Sequence, residues 1–276
     1  MSARRVSARR SCALLGISRR WLRYRSRDGS DDGLIEQLRT LAIRHPRYGY
    51  RRLHALLRRS GRCVNVKRVR RLCLVHGLKL RRKKPRKRGG IGTLSPVRAE
   101  CVNHVWAYDF VHDVCRDGRK LKLLTVEDEF TRQCLTIEVE YRMPASAVLA
   151  TLLRLFGERG RPKFVRSDNG PEFIARQLTT RLASESIGVR HIDPGSPWQN
   201  GRNERFNGSL RDECLNLETF EHRDQARAIC RLYGRHYNGE RPHMALGYLT
   251  PDEFAAEQRQ ADMRSAAAHR TSRAIV

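Results

Sequence analysis

The stretch VWAYDFVHDV, residues 105–114, constrains this chain more than any other. A near-continuous run of aromatic and β-branched residues reads as a β-strand, and Asp109 stands in its middle. A carboxylate in that setting is costly to bury unless a cation compensates it, and a divalent metal would do so. Asp168 ends the short strand KFVRSD and precedes Asn169-Gly170-Pro171, a turn sequence that leaves its side chain at the strand's carboxyl end. Open α/β sheets keep their ligands there. Glu204 falls on a helix expected over 199–216, where a 3.6-residue period puts Asn200, Asn207 and Arg211 on its face. Phe206, Leu210 and the ill-fitting Glu213 lie opposite. Between the last two acids, 204 − 168 − 1 leaves 35 residues.

Oxygen donors without a cysteine or histidine cluster favour Mg²⁺ or Mn²⁺ over zinc. Two such ions shared by Asp109, Asp168 and Glu204 would suit an in-line phosphoryl displacement. Taken singly, each acid reads far more readily as an ordinary turn or surface carboxylate; their surroundings change that.

Those surroundings are WAYDFVHD, SDNGPEF, SPWQNGRNERFNGSLRDE and YNGERPHMALGYLTPDEF, in that order. Together they resemble bacterial insertion-sequence transposases with a retroviral-integrase-like DDE core, in particular the frameshift-expressed group whose second reading frame encodes that core. The resemblance runs over 48–254. It implies that Asp109, Asp168 and Glu204 are the catalytic, metal-binding triad, that Arg211 is the family's basic residue seven positions after the glutamate, and that Mg²⁺ or Mn²⁺, two ions, is the cofactor. It also implies DNA partners (the element's terminal repeats and target DNA), a homo-oligomer on DNA, and an upstream-frame protein as partner or fusion.

The order of elements agrees. VWAYDFVHDV, KLKLLTVED and FTRQCLTIEVE read as three antiparallel strands; a helix over 144–160 carries an apolar stripe at Ala147, Val148, Leu152, Leu155 and Phe156; KFVRSD, a helix over 171–188, VRHI and the Glu204 helix follow. Periodicity alone leaves several mixed α/β folds open. The resemblance selects the ribonuclease-H-like mixed sheet, preceded by small all-α helix-turn-helix modules.

Charge divides the chain. Residues 1–100 hold 30 Lys+Arg against 5 Asp+Glu, or +25, and residues 101–276 hold 26 against 24, or +2, which sum to the net +27. A near-neutral catalytic half behind a strongly basic leader reads as an enzyme with its own polyanion-binding device. Expected divisions are a helix-turn-helix-like segment and linker at 1–33, a three-helix helix-turn-helix domain at 34–80, a basic linker at 81–100, the catalytic core at 101–220 and a helical tail at 221–276. Within the second unit, Asn65 should enter the third helix and Gly61 and Gly77 should end helices. Lys67, Arg68 and Arg71, with Arg51 and Arg52, are expected at DNA, while Val69, Leu72 and Cys73 face inward.

Trp198 and Asn200 are further nucleic-acid candidates; Trp198 could stack on a DNA base, although packing as a hinge for the Glu204 helix is the somewhat readier reading. Asn169, Gln199 and Asn200 could bond phosphate or hold the carboxylates, and Arg241 and His243 could be structural or touch DNA. Eight scattered cysteines without a C-x-x-C pair suit a reduced compartment, and CALLGI is too short for a signal or a membrane span, so a cytoplasmic, nucleoid-associated enzyme is expected. A metal-dependent nuclease or junction resolvase on the same fold, and an inactive DNA-binding regulator, are the competing readings.

Overall fold

The computed structural model describes residues 7–23, 31–80, 98–168, 170, 175–191 and 201–273. At the start, α1 (Ala8–Leu14) and α2 (Arg19–Leu22) are capped by Ser7 and Ser18, with Gly16 in the left-handed region between them. The second of them is a single turn. The pair buries only Cys12 and leaves Leu14, Leu15 and Trp21 exposed.

The next three helices are α3 (Asp32–Arg44), α4 (Tyr50–Arg59) and α5 (Val66–Val75). Leu34, Leu38, Leu53, Leu57, Val69, Leu72 and Cys73 form their shared core, as the helical period requires. Asn65 caps α5 by accepting the Lys67 N–H at 2.8 Å, and Gly61 and Gly77 take φ +82° and +70° just past α4 and α5.

A five-stranded sheet follows, in the order β3-β2-β1-β4-β5. Strands β1 (Val105–Val114), β2 (Lys120–Asp128) and β3 (Cys134–Glu140) are antiparallel neighbours; β4 (Phe164–Ser167) and β5 (Gly188–His191) are parallel additions. One face packs Trp106, Tyr108, Leu124, Val126 and Val165 under α6 (Ala145–Arg159) and α7 (Arg176–Ser184). The other packs Val111, Leu123, Ile137 and Val139 against Phe206 and Leu210 of α8 (Gly201–Glu213) and Cys230 and Tyr233 of α9 (Arg223–Gly239). Strand alternation puts Asp109 and Thr125, which are register partners, on this second face.

Three boundaries differ from expectation. The third strand begins at Cys134, not Phe130, because the Asp128 carboxylate accepts the Phe130 and Thr131 N–H groups at 2.8 Å each and holds 129–133 as a turn. The helix expected over 171–188 is Arg176–Ser184 within the described residues; Ser186 at φ +60° ends it, and Gly188 belongs to β5. There a side chain would not fit, since a Cβ on Gly188 would stand 2.5 Å from the Phe164 ring. Finally, α8 stops at Glu213 and gives way to a short 3-10 turn, Leu215–Leu217.

The last helix is α10 (Pro251–Arg273). Asn238 locks α9 to the edge strand, accepting the Cys134 N–H and donating to its carbonyl, both at 2.8 Å. Tyr237 to Gly239 thus finish α9.

Candidate active site

Parallel pairing aligns Val105 with Phe164 and Ala107 with Arg166, so the same register continued two residues brings Asp109 level with Asp168. Both acids then share the sheet face that α8 covers. Asp109 is partly buried; Asp168 and Glu204 are exposed. The turn after β4 closes as expected, with the Gly170 N–H donating to Asp168 Oδ1 at 3.0 Å.

Asn207, one turn beyond Glu204 on α8, ties the helix to the sheet. Its Nδ2 donates to Asp109 Oδ2 at 2.9 Å, and its Oδ1 accepts the Thr125 hydroxyl at 2.9 Å. Asp109 Oδ1 accepts its neighbour's N–H, from Phe110, at 2.7 Å. Burial pushes the Asp109 carboxyl up to about 6; the Phe110 and Asn207 donors oppose this, while the negative charges of Asp168 and Glu204 add to it. The three carboxylates therefore act on one another electrostatically. Among the described residues no three His, Cys, Asp or Glu side chains are gathered closely enough to hold a metal ion, the Asp109, Asp168 and Glu204 group included. Its donor set, all carboxylate oxygen with an amide bracing one member, suits a hard divalent cation.

Arg211 spends one donor on the His112 carbonyl at 2.8 Å, one strand residue past the Asp109–Phe110–Val111 segment, and stays at the surface. The other acid of α8 behaves differently. Glu213, which did not fit the apolar face, accepts Arg241 Nε at 2.6 Å and Nη2 at 2.7 Å as well as Arg52 Nη1 at 3.0 Å. Arg241 also meets His243 Nε2 at 3.2 Å. Arg241 and His243 are buried, with polar atoms engaged inside the protein. Burial, with the charges of Arg241 and Arg52, lowers the His243 pKa to about 3 and keeps it neutral.

The residues expected at DNA divide. Lys67 is exposed on α5. Arg68 Nε and Arg71 Nη2 reach the Asp31 carboxylate at 2.7 and 3.0 Å, yet both remain substantially exposed. Arg51 lies at the surface beside Tyr50 and Met244, whereas Arg52 faces Glu213. Asn169, Trp198, Gln199 and Asn200 lie outside the described residues.

Models of the integrase core domain match residues 99–197 and 185–251, so that one spans Asp109 and Asp168 and the other Glu204; an HTH-like domain model matches 30–86. The insertion element IS407 uncharacterized 31.7 kDa protein of Burkholderia multivorans is 41% identical over 255 residues, 92% of either chain. The chain belongs to the insertion-element transposases with an integrase core. The IS476 uncharacterized 39.2 kDa protein of Xanthomonas euvesicatoria is 40% identical across 92% of this chain and 74% of its own length. The transposase InsD of Escherichia coli IS2 elements is 27% identical across 85% and 82%. A simian T-cell lymphotropic virus intasome, solved with the PP2A regulatory subunit B56 gamma, superposes with a TM-score of 0.50 at 17% identity, over 79% of this chain and 74% of that one, and shares the ribonuclease-H-like fold.

As a member of this family the chain is a DNA transposase, a polynucleotidyl transferase of a metal-dependent class, with a helix-turn-helix-like unit ahead of its core. No helix among its described residues is long and apolar enough to cross a membrane. Sequence reasoning put Asn207 on the right face of α8 without giving it a role. It did not see Thr125, Glu129, Arg166 or Arg202 at all, because their partners are remote in sequence. Glu213 carried the one usable signal, an acid on an apolar helix face.

Proposed function

We propose that this transposase cuts at the 3′ ends of its mobile element and joins them to target DNA at a single site formed by Asp109, Asp168 and Glu204. The observation that carries the reading is the Asn207 bridge, which ties the Glu204 helix to Asp109 of β1 and Thr125 of β2, while the parallel register of β1 with β4 brings Asp168 level with Asp109. Three carboxylates from three separate elements on one sheet face suit a divalent pair, Mg²⁺ or Mn²⁺. Bound there, two ions would supply the positive charge that sharpens an oxygen nucleophile and stabilises the leaving oxygen of an in-line displacement.

The chain's own residues do the rest. Asn207 holds the Asp109 carboxylate in one orientation, and the Phe110 N–H fixes its second oxygen. Arg211, braced by the His112 carbonyl, presents its remaining donors to a DNA phosphate beside the site. Water serves as nucleophile for nicking and the freed 3′-hydroxyl for joining, so one phosphodiester replaces another and no nucleotide cofactor is consumed. Lys67, Arg51, Arg68 and Arg71 of the helix-turn-helix-like unit, with Trp198 and Asn200, take the DNA backbone and bases; Arg52 contributes by docking that unit on α8. The active form is an oligomer on paired element ends, with an upstream-frame protein as partner or fusion, acting in the cytoplasm at the nucleoid.

A strand-transfer assay tests this, with the purified chain, Mg²⁺ and a labelled duplex carrying the element's own end. Joined products that vanish in Glu204→Gln and Asp168→Asn support the reading. Cleavage without joining would make it a nuclease, and unchanged joining in either variant would remove the triad.

A further inference from the structure

Glu129 lies just beyond β2 and is 1% exposed. Its Oε1 accepts Arg166 Nη1 at 2.6 Å, and Arg166 is itself buried. Its main-chain carbonyl accepts Arg202 Nη1 at 2.6 Å, and its N–H donates to the Val105 carbonyl at 3.0 Å, at the start of β1. Arg166 precedes Asp168 by two residues on the same face of β4, and Arg202 precedes Glu204 by two in the first turn of α8. One residue therefore touches all three elements that carry the proposed site.

The energetics do not favour this arrangement as a device for stability. A buried ion pair loses much of its Coulomb energy to desolvation, and apolar residues of similar volume usually serve the fold as well or better. Burial raises the Glu129 pKa against the pull of Arg166 and Arg202. Arg202 is a cation in the first turn of a helix, where the macrodipole opposes it, and burial lowers its pKa. What the pair does supply is direction, because a guanidinium on a carboxylate has one preferred geometry and a helix-to-carbonyl bond one length.

We propose that Glu129 is a positioning residue for phosphoryl transfer, setting the placement of Asp168 and Glu204 through Arg166 and Arg202. The inference rests on the reading of those acids as the metal-holding site.

Four measurements on the full chain test it: the thermal midpoint, Mn²⁺ affinity by electron paramagnetic resonance without DNA, strand-transfer rate and DNA affinity. Arg202→Met should keep its midpoint within roughly 4 °C. It should lose about tenfold or more in Mn²⁺ affinity, the cost typical of a displaced support to a ligand. Its strand transfer should slow while DNA affinity holds, and Arg202→Lys, which keeps a donor to the carbonyl, should recover both. The paired change Glu129→Met with Arg166→Met removes the buried charges together, so the chain stays folded yet remains weak in Mn²⁺ affinity. Wild-type Mn²⁺ affinity in Arg202→Met and in the paired variant would overturn the proposal, as would losses that merely follow the midpoint. Glu204→Gln keeps the two failures apart. If it too binds Mn²⁺ and joins ends normally, the triad reading fails; if it is dead while Arg202→Met is normal, only the positioning role fails.

Discussion

The two ends of α8 carry acids in opposite circumstances. Glu204, in the first turn, is exposed and stands in an open cluster of carboxylates, whereas Glu213, in the last turn, is nearly enclosed and saturated by Arg241 and Arg52. Both are glutamates on one helix, nine residues apart. An acid that completes a fold brings its cations with it, as Glu213 does; under the proposed function Glu204 is left to an exogenous cation, and the acids Asp109 and Asp168 are its neighbours. On that proposal, partner saturation separates the two carboxylates more than residue type does.

The comparison can be broken at either end. The largest effect should come from Glu204→Gln or Asp168→Asn, which should cut the strand-transfer rate by roughly a hundredfold to a thousandfold, the scale for losing one preorganised electrostatic contact. Neither should lower the thermal midpoint, because among the described residues neither acid is paired with a cation; a clear fall in stability would undo the distinction. At the other end, Glu213→Ala strands Arg241 in the interior and should cost about 3–5 kcal/mol in urea unfolding. A cost well under 1 kcal/mol would show that the pair matters little.

The pH dependence sharpens the same contrast. His243 and His45 are held neutral by burial, with folded pKa values of about 3 and about 4 below the ordinary 6.5. The unfolded chain gains protons that the fold refuses, so stability should drop as pH falls below about 6.5. Glu127 is an enclosed acid without a paired cation, and burial pushes it up to about 8. Its fold prefers the protonated form, so stability should decline as pH rises from 4.5 toward 8. Glu127→Gln should remove that decline, raising the thermal midpoint more at pH 8 than at pH 5; an equal change at both would count against a raised pKa. The smallest effect is expected for Arg52→Ala. Its partner Glu213 keeps Arg241, and Arg52 is itself 30% exposed, so the loss should be about 0.5–1 kcal/mol by thermal unfolding.

Much of this could be read before any coordinates. Asn65, Gly61, Gly77 and Pro144 marked helix ends because their local chemistry favours caps and left-handed turns, and those signals are carried by neighbours in sequence. The succession of five strands along the chain followed from apolar runs and turn residues, though not their order in the sheet. Boundaries failed where a remote or local polar group overrode periodicity: the Asp128 carboxylate shortened β3 at its start, and the helix expected to reach Asn216 gave way after Glu213, where the chain turns toward α9.

By itself, then, the sequence determined the alternation of elements, the charge division and the identity of three acids in suggestive settings, because those depend on local propensity and on motifs read in order. Only the tertiary structure decided which polar groups meet. That Asn207 braces Asp109, that Glu213 is an anchor for Arg241 and Arg52, and that Glu129 touches the supports of both Asp168 and Glu204 are consequences of packing one helix across a parallel and antiparallel junction. Hydrogen bonds and ion pairs act over a few ångströms, and residues separated by tens of positions come within that range only when the chain has folded.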